Sequence, residues 1–196
     1  MKKDVLKIIT EYEVKILSII NKIKTLQDVN NFNENENKIH DLINECLEKI
    51  YALIAKFVRK YYPDIEFNEE NVASLTWNED GINLEERITS YIETSILEMI
   101  VLLKEDKDIA QIKRLLEFQI VRILDTEAFL VMNKILENKL RKVSKYFQIL
   151  SDNCCDGCEN ISEQGILPIH KLEKTPPYHP SCQCVIIYYT EYPKNI

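Results

Sequence analysis

The chain has 196 residues, 45% of them hydrophobic and 29% charged, which supplies one sizeable core and excludes wholesale disorder. Its formal charge is −7, so counterion release on a broad basic face cannot dominate and general DNA binding is disfavoured. The three glycines, Gly81, Gly157 and Gly165, leave the first eighty residues without the positive-φ positions that punctuate β-rich folds, and long helices are expected there.

From the start, Lys2, Lys3, Asp4 and Lys7 interrupt what would be a signal's apolar stretch, and no apolar run has the length of a bilayer span; the expectation is a soluble protein made in the cytosol. Between Asp4 and Leu26, apolar residues at Val5, Ile8, Ile9, Tyr12, Ile16, Ile19, Ile20 and Ile23 have the spacing of a helix with a broad buried face. The run Asn30–Asn37 favours turns and predicts a loop joining an antiparallel pair. A second helix is expected from Lys38 to Tyr61, with Cys46 on its apolar stripe and Pro63 as its stop. Residues 1–62 thus read as an N-terminal helical hairpin for docking or oligomerisation, and 63–82 as a connector holding Trp77.

Asn83 followed by Glu86 is a capping pattern that starts a third helix running to Lys104. Asp108 caps a fourth helix, and Asp125 or Thr126 a fifth that continues to about Phe147 through Phe129, Met132, Ile135, Leu140 and Val143. Arg122 and Glu127 are then placed to pair across these two helices. Residues 83–150 form the helical core in this reading. Lys139, Arg141, Lys142 and Lys145 complement the last turn of the fifth helix, or offer a basic patch to packaged DNA or an acidic partner.

After Asp152 the composition turns to cysteine, proline and glycine, and Val185–Tyr189 is a β-prone run. Residues 151–196 read as a separate small lobe. Five of the six cysteines fall between Cys154 and Cys184. Cys155-Asp156-Gly157-Cys158 is a short-spaced pair in which Gly157 can take the left-handed conformation. His179, Cys182 and Cys184 follow after a loop. Two such pairs flanking a loop staple a segment too small to own a core around tetrahedral zinc. The candidate ligands are Cys155, Cys158, His179, Cys182 and Cys184. Cys182 and Cys184 would face opposite ways on a regular strand, so a turn is needed if both bind. Cys154 is a spare and His170 a loop residue. A thioredoxin-type redox site would require the CxxC to follow a strand and open a helix in a βαβ unit, whereas here it is expected to follow a long helix and open a loop.

The ending Asp152, Cys155-x-x-Cys158, loop, His179-Pro180-x-Cys182-x-Cys184 resembles the closing signature of the Mu F-like minor head proteins (head morphogenesis proteins) of tailed bacteriophages. Arg122, Thr126-Glu127 and Asn133 resemble that family's helix carrying an arginine, a Thr-Glu pair and an asparagine. The resemblance spans roughly Trp77 to Tyr189. Tyr146-Phe147, Ser181 and Gln183 depart from it, and the first seventy-six residues show no match. It implies a non-enzymatic, low-copy structural component of the virion head near the portal vertex, in the host cytoplasm during assembly, acting in head assembly and genome packaging or ejection. Its implied partners are portal and capsid proteins, with packaged DNA and further copies of the chain as candidates. A zinc-knuckle regulator or adaptor of nucleic-acid processes is the alternative. The fold expectation is mainly α, a helical hairpin plus a helical domain, with a Cys-rich zinc-knuckle lobe containing short β-strands.

Overall fold

The computed structural model describes residues 1–25, 27–28, 33–65, 84–104, 108–151, 156–178 and 182–193. Its helices are α1 (Lys2–Ile20), α2 (Asn33–Tyr61), α3 (Leu84–Lys104), α4 (Ile109–Leu140) and the short α5 (Asp156–Ser162). Three strands, β1 (Tyr146–Leu150), β2 (Ile166–Pro168) and β3 (Val185–Tyr189), form an antiparallel sheet in the order β2-β1-β3. The chain is therefore mainly helical with a small sheet towards its C-terminal end. No helix among the described residues is long and apolar enough to cross a membrane.

The hairpin follows from periodicity. Val5, Ile9, Tyr12, Ile16 and Ile20 repeat at three or four residues along α1, and Ile39, Ile43, Cys46, Leu47, Ile50, Ile54 and Val58 do so along α2; all are buried. Their stripes close on Leu116, Ile120, Leu124, Phe129, Met132 and Leu136 of α4, making one continuous core. Within it the Cys46 thiol is fully buried, and burial pushes its pKa up to about 12. The second helix begins at Asn33, earlier than expected, so part of the Asn/Glu-rich stretch is helical. The proposed cap Asn83, Trp77 and the 105–107 turn lie outside the described residues.

Two expectations are corrected. The fourth and fifth helices are one, Ile109–Leu140, entered through the Asp108 side chain, which accepts a hydrogen bond from Ala110 N. Neither glycine nor proline interrupts these 32 residues, and the residues that looked like a second cap have other partners. Thr126 Oγ1 donates to Arg122 O at 2.7 Å, a bond made inside a continuous helix. Asp125 accepts from Gln183 Nε2 at 3.3 Å. The reading of Arg122 and Glu127 as a clasp between two helices falls with that break.

The helix also stops at Leu140 and not at Phe147. Val143, expected inward, is 49% exposed. Tyr146–Leu150 instead alternates, burying Phe147 and Ile149, as a half-buried strand does. Its register is fixed on both sides, with Phe147 opposite Leu167 of β2 and opposite Tyr188 of β3. Because β3 is an edge strand, its outward backbone groups need partners, and other elements provide them. Asn133 of α4 binds Cys184 O and Ile186 N, and the Tyr62 hydroxyl donates to Tyr188 O at 3.2 Å.

Candidate metal centre

Three of the five candidate ligands are described, and the fold brings all three together. Cys158 lies in α5, while Cys182 and Cys184 lie in the irregular segment leading into β3; each is buried. Their sulfurs all lie within 4.8 Å of one another. Cys158 Sγ and Cys182 Sγ are 3.7 Å apart. A disulfide would require about 2.05 Å, whereas four ligands at about 2.3 Å around a tetrahedral ion put sulfurs about 3.8 Å apart. The three thiols are thus close enough to hold a metal ion. Cys155 and His179 lie outside the described residues, as does Cys154. His170 is exposed on a 3-10 turn over Ile169–Lys171.

The local backbone explains the convergence. Cys182 and Cys184 precede β3, so the alternation that would separate them on a regular strand does not apply. On the opposite side Gly157 is helical, which corrects its expected left-handed conformation; the positive φ, +69°, belongs to Gly165, in the turn between α5 and β2. The expected setting of the CxxC is corrected as well. The motif comes after strand β1, and its second cysteine lies in helix α5, so the lack of a preceding strand does not argue against a redox site. The sheet does, because β1 pairs antiparallel with both neighbours and there is no parallel βαβ unit among the described strands.

Helix α4 fixes the far side of the cluster. Asn133 is fully buried; its Nδ2 donates to Cys184 O at 2.9 Å and its Oδ1 accepts from Ile186 N at 3.1 Å. The Asp125–Gln183 contact adds a second tie on the same helix. Burial pushes the Asp125 carboxyl above its ordinary range, while Gln183 opposes that shift. Further along, Glu137 accepts from Arg141 Nη1 at 2.6 Å and from Thr175 Oγ1 at 3.1 Å, and Arg141 Nη2 donates to Leu172 O. Arg141 therefore clamps the loop that carries the chain from α5 towards Cys182.

The residues that accompany the cysteines in the family resemblance separate into two places. Arg122, Thr126 and Glu127 line a cavity of about 230 Å³ with Thr94, Ser95 and Gln119, between α3 and α4. Asn133 instead faces the cysteine lobe. Sequence reasoning missed its bond to Cys184, although a polar residue at the centre of the run Val131-Met132-Asn133-Lys134-Ile135 is the kind of signal that could have found it, since buried amides need partners. The chain matches no family model, no curated protein and no solved structure.

Proposed function

We propose that the thiols of Cys158, Cys182 and Cys184 hold a structural zinc ion, with Cys155 or His179 completing the coordination, and that the protein is a minor head protein of a tailed bacteriophage. The carrying observation is the meeting, within 4.8 Å, of buried thiols from both ends of the lobe. Thiolates are soft donors and select zinc over the hard cations. With protein ligands at every position, the ion has no open site for substrate, so its part is to order the segment and no catalysis is assigned.

The head-protein reading rests on the cysteine and histidine spacing and on the resemblance of the helix bearing Arg122, Thr126, Glu127 and Asn133. The exposed apolar side chains of Leu97, Val101 and Phe118 on α3 and α4 suit contact with a portal or capsid partner. The regulator alternative would use the hollow lined by Tyr62, Tyr188, Tyr189 and Tyr192, but Glu191 shares that hollow and a nucleic-acid platform needs basic neighbours.

Two measurements test these readings separately. Elemental analysis of protein purified under reducing conditions without chelator should find about one zinc per chain; absence of metal sinks the zinc assignment. Mass spectrometry of purified phage particles should find the chain at low copy relative to the portal, and its absence there sinks the head assignment whatever the metal content.

A further inference from the structure

We infer that Asn133 is the positioning residue of the metal centre. This rests on the metal reading above. Cys184 lies in irregular backbone immediately before β3, where no strand partner fixes its carbonyl. The Asn133 amide supplies that constraint from outside the lobe, donating to Cys184 O and accepting from Ile186 N. One side chain thus grips the chain at Cys184 and two residues beyond it, and sets the direction in which the Cys184 Sγ leaves the backbone.

The grip comes from a rigid element. Asn133 sits on α4 between the buried Met132 and Ile135, with no exposed surface of its own, so its amide has little freedom to follow a displaced ligand. Outer groups that orient metal ligands are worth about 10–100-fold in metal affinity when removed. Asn133→Ala and the milder Asn133→Ser should therefore weaken binding by a factor in that range. Leu136→Ala, which truncates a buried residue of the same helix whose side chain offers no hydrogen bond to the cysteine segment, should lower stability without altering affinity.

The experiment uses the full chain with Co²⁺ as the probe, reading thiolate-to-cobalt charge-transfer absorption and the dissociation constant by competition with a chelator. The expected result is a tetrahedral thiolate spectrum in the parent and in Leu136→Ala, with weakened binding and an altered spectrum in Asn133→Ala and Asn133→Ser. Parent-like affinity and spectrum in either folded Asn133 variant overturn the positioning role while leaving the metal site intact. If Asn133→Ala fails to fold, Asn133→Ser decides. If both fail, metal-dependent protection from hydrogen exchange in the parent decides: slowing at Ile186 N–H together with the cysteine segment supports the coupling, and slowing of the segment without Ile186 overturns it. A parent chain that gives no thiolate spectrum overturns the metal reading itself.

Discussion

Stripping the proposed zinc with a strong chelator should disorder the segment from α5 to Cys184 and leave the four long helices standing. Among the described residues from 156 to 178, the buried side chains other than cysteine are Leu172 and Pro176, with Ile161, Leu167, Ile169 and Tyr178 partly buried against the core. A fully buried aliphatic side chain contributes about 1.5–3 kcal/mol. A structural zinc in a small peptide has an apparent binding energy of about 10–16 kcal/mol, so the proposed ion would outweigh the segment's own packing. The helices depend on a different set of contacts, the stripes of α1 and α2 closing on α4. Only α5, 7 residues against 19, 29, 21 and 32 in α1 to α4, belongs to the metal-dependent part. Far-ultraviolet circular dichroism should therefore lose about one-fifteenth of its helical signal, while hydrogen exchange accelerates across 156–184. Loss of most of the helical signal on chelation, or unchanged exchange in that segment, refutes the division.

Three further outcomes follow from other sites. Cys46 is fully buried with its thiol raised from near 9 to about 12, so the folded state keeps a proton that the unfolded state releases; stability should fall by about 1.4 kcal/mol per pH unit above about pH 9, a slope that urea titrations should find missing in Cys46→Ala. Burial pushes the Glu137 carboxyl up, but hydrogen bonds from Arg141, Lys134 and Thr175 outweigh it and hold it below the usual range. The stability it contributes is thus present above about pH 4.5 and lost as the pH falls further, and Glu137→Gln should approach the parent in acid while trailing it at neutral pH. Phe118 is 60% exposed, so Phe118→Asp should change stability by less than about 0.5 kcal/mol yet reduce incorporation into particles; undiminished incorporation by immunoblot would remove that face from the proposed contact.

The long helices were readable because local and tertiary preferences agree. In α1 and α2 the same residues that repeat at three or four positions are those that meet α4, and nothing competes for them. Where they disagree the reading slipped. Asp125 and Thr126 have the chemistry of a cap, yet Asp125 is taken by Gln183, fifty-eight residues away, and Thr126 by the turn before it. Val143 and Phe147 fit a helical repeat as well as Phe147 and Ile149 fit a strand. Only pairing with Val185–Tyr189 decides between them, and that pairing is long-range information absent from any local window.

The site shows the same division between what is local and what is not. Spacing alone pointed to Cys155, Cys158, His179, Cys182 and Cys184, of which the described three meet, because ligands must come in pairs close enough to share an ion and the chain between them has little core of its own. How the second pair could face one centre was not readable, since that depends on where β3 begins and on what holds the residues before it. Asn133 bears on both. By taking up Cys184 O and Ile186 N it covers the edge of β3 where its pairing begins and holds the backbone at Cys184, in the irregular stretch that carries Cys182 and Cys184. The lobe and the helical core are therefore tied together beside the cysteines as well as at Leu172, Thr175 and Tyr188, and of the buried α4 side chains it is Asn133 whose substitution should be felt first at the proposed metal centre.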